Sequence, residues 1–137
     1  MKTLVDTSVW SLALRRKSAA DDPTVIELRG LIKELRVQII GPIRQEILSG
    51  IRSKSQFFKL RETLRAFPDL ALVSEDYELA ADFFNVGRKR GIQGSNTDFL
   101  ICAVSKRCEM PIFTTDKDFV LFRKHLPITL HAPRSDP

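Results

Sequence analysis

Cysteine and histidine, the side chains that most often hold zinc or serve as nucleophile and base, are scarce here: 137 residues contain two of each. Cys102 and Cys108 follow neither a CxxC nor a zinc-ligand spacing and read as core or helix positions, which fits a reducing cytoplasm. His125 and His131 are poorly placed for catalysis. Long apolar runs are also missing. No stretch approaches the roughly 18 residues of a membrane span, so no membrane partner is expected. The first residues enter a strand-like pattern with an acid at position 6, unlike a signal peptide. No repeat or linker breaks the chain. The expectation is one domain over 1–131 and a polar tail over 132–137. With 43% hydrophobic residues the chain has enough apolar side chains for a core, which excludes intrinsic disorder.

Negative charge is in deficit as well: 22 Lys and Arg stand against 17 Asp and Glu, a net charge of +5. Such an excess can attract a polyanion, and it can equally serve solubility alone.

What is present is an alternation of short apolar runs with helical periodicity. Lys2–Val5, 37–40, 70–73, 111–114 and 128–130 read as strands. Val25, Leu28, Ile32 and Leu35 recur at helical spacing after the capping pair Asp22-Pro23. Ser74 is expected to cap a helix over 75–90, and Ser95 or Asn96 to cap the apolar helix that begins Phe99-Leu100-Ile101. Alternating strands and helices predict a three-layer α/β/α fold around a parallel sheet of four to five strands.

Within this pattern acids recur at special places. Asp6 and Asp116 follow strands, while Glu46 and Asp98 open or face helices beside apolar residues. Taken singly, each has an ordinary explanation: Asp6 and Asp116 as helix caps, Asp98 as partner of Ser95 in a capping box, Glu46 as surface charge. Taken together, strand ends and helix starts converge on one crevice of a doubly wound sheet. Two carboxylates about 4 Å apart repel by about 4 kcal/mol at an effective dielectric near 20, so a cluster calls for compensation. All-oxygen ligands suit a hard cation, Mg²⁺ or Mn²⁺, which activates water and assists in-line phosphoryl displacement.

The segments Leu4-Val5-Asp6-Thr7-Ser8-Val9-Trp10, Asn96-Thr97-Asp98-Phe99-Leu100-Ile101-Cys102-Ala103 and Phe113-Thr114-Thr115-Asp116-Lys117-Asp118-Phe119, with Glu46 between them, resemble the PIN-domain family. Within it they are most similar to VapC-type toxins. The resemblance runs over about positions 2 to 130. It implies a ribonuclease using Mg²⁺ or Mn²⁺ held by Asp6, Glu46, Asp98 and Asp116, with Asp118 as a further acid and Ser8 and Thr115 hydrogen-bonding in the site. It also implies a homodimer restrained by a small antitoxin protein. Arg44, Arg52, Lys54 and Lys117 are candidates for RNA phosphates, each with an equally simple role as surface charge.

Two other classes compete. A receiver-like phosphoacceptor domain also clusters acids at strand ends, but it wants an acidic pair at the first strand and a lysine after a late one. This chain has a single acid there and Thr114-Thr115 in place of the lysine. A PIN-type nuclease outside toxin–antitoxin systems, acting in RNA processing or on DNA, uses the same residues.

Overall fold

The computed structural model describes residues 1–15 and 19–134. The sheet is built on three short parallel strands, β1 (Thr3–Val5), β2 (Val37–Gln38) and β3 (Ile112–Phe113), in the order β2-β1-β3. The first strand is therefore central, and its three residues are all buried. The expected outer strands are reduced to single parallel bridges, Ile39 with Asp69 and Ile112 with Leu130. Each side makes few ladder bonds. Leu70 N–H donates to the Ile39 carbonyl at 3.0 Å, and Ile112 is bracketed by Thr129 and His131 at 2.9 and 2.8 Å. Pro68 and Pro127, which lack an N–H, stand just before both segments and limit pairing on that side. The sheet thus has three strands with a bridged segment at each edge, within the expected parallel α/β architecture.

Seven α-helices are described: α1 (Thr7–Arg15), α2 (Pro23–Lys33), α3 (Gly41–Leu48), α4 (Lys54–Leu64), α5 (Ser74–Lys89), α6 (Asn96–Cys108) and α7 (Asp118–His125). They pack in two groups, α1 with α2 and α3 and α3 with α4, and α5 with α6 and α7. No helix among the described residues is long and apolar enough to cross a membrane. Asp22 caps α2 as expected, accepting the Thr24 N–H at 2.8 Å. At α5 the cap is not Ser74 but Val73, whose N–H donates to Asp76 Oδ2 at 3.0 Å. Asp76 lies three residues beyond Val73, the spacing at which a carboxylate reaches back to the cap.

The apolar helix α6 is buried continuously from Phe99 to Ser105. Its entry loop is tightly packed: a Cβ on Gly94 would stand 2.8 Å from Phe122 Cζ and 3.0 Å from Phe99 Cε2. That contact holds the start of α6 against α7, and both carry acids discussed below. At the other end of the chain, residues 131–134 are tied to α2. The Glu27 carboxylate meets His131 Nε2 at 2.6 Å and Arg134 Nε at 3.1 Å, and Arg134 also forks onto Glu34 at 2.9 and 2.7 Å. This much of the polar tail is docked. The rest, 135–137, lies outside the described residues.

Candidate active site

The register of the central strands determines which side chains meet. Leu4 pairs with Ile112 and Val5 with Phe113, and the Asp6 N–H donates to the Phe113 carbonyl at 2.9 Å. Asp6 and Thr114 therefore leave the sheet together at its carboxyl end. The Thr114 hydroxyl donates to Asp6 Oδ2 at 2.8 Å, and Ser8 Oγ donates to the same oxygen at 2.9 Å. Ser8 Oγ in turn receives the Thr115 N–H at 3.1 Å. Asp6 caps α1 only through its main chain: its carbonyl accepts the Val9 N–H at 3.1 Å. Its carboxylate, on a residue only 6% exposed, is turned to the two hydroxyls.

The other acids arrive from three further elements. Glu46, on α3, accepts the Thr7 hydroxyl at 2.7 Å through Oε1. Asp98 completes a capping box at the start of α6: its N–H donates to Ser95 Oγ and its Oδ2 accepts the Ser95 N–H, both at 3.0 Å. Asp116 follows β3, and its Oδ1 accepts the Asp118 N–H at 2.9 Å, so it serves the first N–H of α7 from just before the Lys117 cap. The ordinary roles of Asp98 and Asp116 are thus real, and they coexist with a shared location. Asp6, Glu46, Asp98 and Asp116 line one open cavity of about 560 Å³, together with neutral residues such as Thr7, Ser8 and Thr97 and, among the described residues, no Lys, Arg or His.

That arrangement is electrostatically loaded. Burial pushes the Asp98 carboxyl above its ordinary value; hydrogen bonds from Ser95 pull it down, and the charges of Asp6 and Asp116 add to the rise. Asp98 and Asp6 also help burial to push up the Cys102 thiol, which lies one turn along α6. Among the described residues, each of the four carboxylates uses a single oxygen for hydrogen bonds within the protein: Asp6 Oδ2, Glu46 Oε1, Asp98 Oδ2 and Asp116 Oδ1. The donor set, four hard oxygens without an internal base, has the chemistry of a Mg²⁺ or Mn²⁺ site. As they stand, no three His, Cys, Asp or Glu side chains among the described residues are arranged to grip one ion. The fit lies in donor chemistry and shared location.

Thr115 hydrogen-bonds beside Asp6, whereas Asp118 and the four basic candidates do not line the cavity. Thr115 contributes its main-chain N–H, and the hydroxyl at Asp6 belongs to Thr114. Parallel register was the signal for this, since the partner of Val5 is Phe113 and the next pair is Asp6 with Thr114. Asp118 is exposed and does not line the cavity; it heads α7 and reaches Asp116 through its N–H. Arg44 is not at liberty to meet a phosphate. Its guanidinium holds Asp69 Oδ1 at 3.0 Å and the Leu64 carbonyl at 3.0 Å, and it also donates to the Phe67 carbonyl, clamping the turn after α4. Arg52, Lys54 and Lys117 are exposed. Thr7 orients Glu46, and its only signal in the sequence is that it adjoins Asp6.

Comparison with known proteins follows the same lines. The family model described as "PIN domain" matches residues 3–124. A search of curated proteins finds no match. Among solved structures, FitAcB from Neisseria gonorrhoeae is similar at 19% identity with TM-score 0.76, over 96% of this chain and 97% of that one. VapBC2 from Rickettsia felis, bound to a DNA fragment from its promoter, is similar at 16% identity and TM-score 0.76, over 96% of this chain and 98% of its own. VapBC-5 from Mycobacterium tuberculosis, a member of the VapBC family of toxin–antitoxin systems, is similar at 18% identity and TM-score 0.69, over 94% and 96%. At these identities the likeness is one of fold.

Proposed function

The chain belongs to the PIN domain family, and from that premise we propose that it is a Mg²⁺- or Mn²⁺-dependent endoribonuclease, the toxin of a toxin–antitoxin pair. PIN domains are generally nucleases. The observation that carries the reading is the set of four carboxylates from four separate segments, lining one cavity with no cationic side chain among the described residues and each with one oxygen lacking a hydrogen bond within the described protein. Asp6, Glu46, Asp98 and Asp116 would hold the ion. When bound, such an ion lowers the pKa of a water and offsets charge building on the phosphate.

The chain's own groups supply orientation. Ser8 and Thr114 fix the Asp6 carboxylate by two hydroxyl donors to one oxygen, leaving the other to face a ligand. Thr7 does the same for Glu46. The α6 capping box holds Asp98 by both its N–H and its Oδ2, so its carboxylate is anchored at the helix start and is not a free surface rotamer. Preset donors of this kind reduce the reorganisation needed as charge develops in the transition state.

The test is incubation of the purified protein with pooled RNA in Mg²⁺ or Mn²⁺ and in EDTA, read by end-mapping, with matched DNA in parallel. Metal-dependent cuts in RNA, absent with Asp98→Asn, are expected. No cleavage by the wild type, or equal cleavage by the variant, would overturn the reading. Cutting of DNA alone would move the protein to the DNA-acting branch.

The toxin assignment rests on the family and on the likeness to VapBC-5, a member of a toxin–antitoxin family, and it implies a cytoplasmic protein with a small antitoxin partner. An acidic cavity is best blocked by a guanidinium, whose fork can bridge two carboxylates. Expression alone is expected to arrest bacterial growth, and co-expression of the adjoining small gene to relieve the arrest. Normal growth with abundant wild-type protein would reject the toxin role and leave the nuclease. A homodimer is part of the same reading. Phe58 on α4 is 54% exposed, with the Arg61 guanidinium 5.0 Å from its ring centroid, and is a candidate contact. A monomer in light scattering at high micromolar concentration would refute the dimer.

A further inference from the structure

The acidic cavity does not end at its acids. It shares Pro42, Gln45 and Thr97 with a second trough of about 610 Å³ between α3, α5 and α6. Tyr77, Phe84, Asn85 and Asn96 line this trough. Phe84 is common to it and to a third recess that holds Arg88. Shared lining residues thus link the carboxylates, the trough and, through Phe84, the recess of an arginine.

The side chains along the path have a consistent chemistry. Tyr77, the single tyrosine of the chain, is 55% exposed, and Phe84 is 36% exposed. They are seven residues apart on α5, hence on one face and about 10 Å apart along its axis. Phe84 is braced by an edge contact with the buried Phe99 ring, centroids 5.6 Å apart. A braced, half-exposed ring is a ready surface for stacking. Between and beside the rings stand the amides of Asn85, Asn96 and Gln45. Arg88 follows Phe84 by one helical turn, is exposed, and pairs with no carboxylate among the described residues.

Aromatic faces, amide edges and a terminal cation along one groove are the parts from which single-stranded nucleic acid sites are made. Rings stack on bases, amides pair with base edges, and arginine meets phosphate. We propose that this trough seats the unpaired nucleotides flanking the scissile phosphate, with Tyr77 and Phe84 as stacking platforms, Asn85 and Asn96 reading base edges, and Arg88 on a flanking phosphate. The proposal rests on the nuclease reading for the identity of the strand, and it deepens that reading by naming where sequence preference arises. A second copy of the chain is the competing occupant. It fits less well, because it would bury three amides beside the rings and cover the mouth of the acidic cavity.

The test uses the full chain, in EDTA, with a short single-stranded RNA carrying 2-aminopurine. Binding is expected to quench the probe. Tyr77→Ala is expected to weaken binding about tenfold and to abolish the quench, and Phe84→Leu to do so in part. Asn96→Ala is expected to change the cleavage-site preference in end-mapped RNA. Unchanged affinity and quench in both ring variants would overturn the trough while leaving cleavage, and the nuclease reading, intact. Conversion of a dimer to a monomer by Tyr77→Ala, seen by light scattering, with unaltered RNA affinity, would also overturn it and assign the face to a second copy. Binding and quench that depend on Tyr77 in a protein that cuts no RNA would uphold the trough and reject the nuclease.

Discussion

Asp76 and Asp98 start from the same local design and end in opposite electrostatic states. Each is the third residue of its helix, and each accepts the N–H of the residue that precedes the helix, at 3.0 Å. Burial works against the charge of both. At Asp76, which has no exposed surface, the Arg107 guanidinium overcomes burial: Nη2 donates at 2.9 Å, and the carboxyl is held below its ordinary range. At Asp98 burial dominates, the nearest charges are Asp6 and Asp116, and the carboxyl is pushed up. Glu27 belongs with Asp76. Burial opposes its charge too, yet Arg134 and His131 bring the carboxyl down. Wherever this fold buries an acid for structure it supplies an arginine, and at the cavity it supplies further acids. An N-terminal capping motif settles one carboxylate oxygen and says nothing about what the other will meet.

The contrast is open to direct attack. Arg107→Ala leaves Asp76 buried without a counter-charge and is expected to cost about 3 kcal/mol in chemical denaturation. Asp98→Asn, at the equivalent helix position, is expected to leave metal-free stability unchanged or higher, because it removes like-charge repulsion and keeps a cap acceptor. If Asp98→Asn proved as damaging as Arg107→Ala, the two sites would not differ as described. The same Asp98→Asn change is expected to reduce RNA cleavage at least about 100-fold, since even residues behind metal ligands cost up to that much. Activity within a few-fold of wild type would remove Asp98 from the site.

Smaller effects sharpen the comparison. Ser95→Ala removes the hydroxyl that caps α6 and is expected to cost about 1 kcal/mol. It also takes away a contact that lowers the Asp98 carboxyl, so NMR titration should find that group higher still. The least effect is a pH-dependent gap between wild type and Asp98→Asn in EDTA. With its folded value raised, the stability carried by protonated Asp98 is fully present below the ordinary value near 3.8 and is lost as pH rises through the folded one. The variant is therefore expected to match wild type in thermal melts near pH 3.5 and to pull ahead as pH climbs. Asp76 and Glu27, lowered in the fold, act in the other direction: their contribution holds above the ordinary range and is lost as pH falls through the folded values. A gap between the two proteins that stays constant from pH 3.5 to 7 would contradict the assignment.

Much of this was legible before any coordinates. Asp22-Pro23, Ser95-x-x-Asp98 and the apolar run of α6 are local signals, and helices started where they indicated. Asp6 at the end of a first, central strand followed from an apolar run closed by an acid. Other signals misled, one because a neighbour within three residues competes and others because their outcome depends on distant residues. Ser74 is a good cap by propensity, yet Asp76 reaches back to Val73 and moves the boundary by one residue. Arg44 looked like rim charge until the turn after α4 brought two carbonyls and Asp69 to it. The run 70–73 had strand composition, but the one bridge on that side forms at Asp69, just before it.

The amino-acid order alone determined the alternation of strands and helices, the helix caps, and the four places along the chain where an acid follows a strand or opens onto an apolar face. These rest on interactions within a few residues, where side-chain spacing is the geometry. Only the tertiary structure decided that Thr114 and not Thr115 holds Asp6, that Arg107 neutralises Asp76, and that among the described residues nothing cationic lines the cavity with Asp98. Those outcomes depend on parallel register between residues 108 positions apart and on the antiparallel meeting of α5 with α6. Whether a buried carboxylate faces a guanidinium or another carboxylate is decided by chain segments far apart in sequence, so no local pattern encodes it.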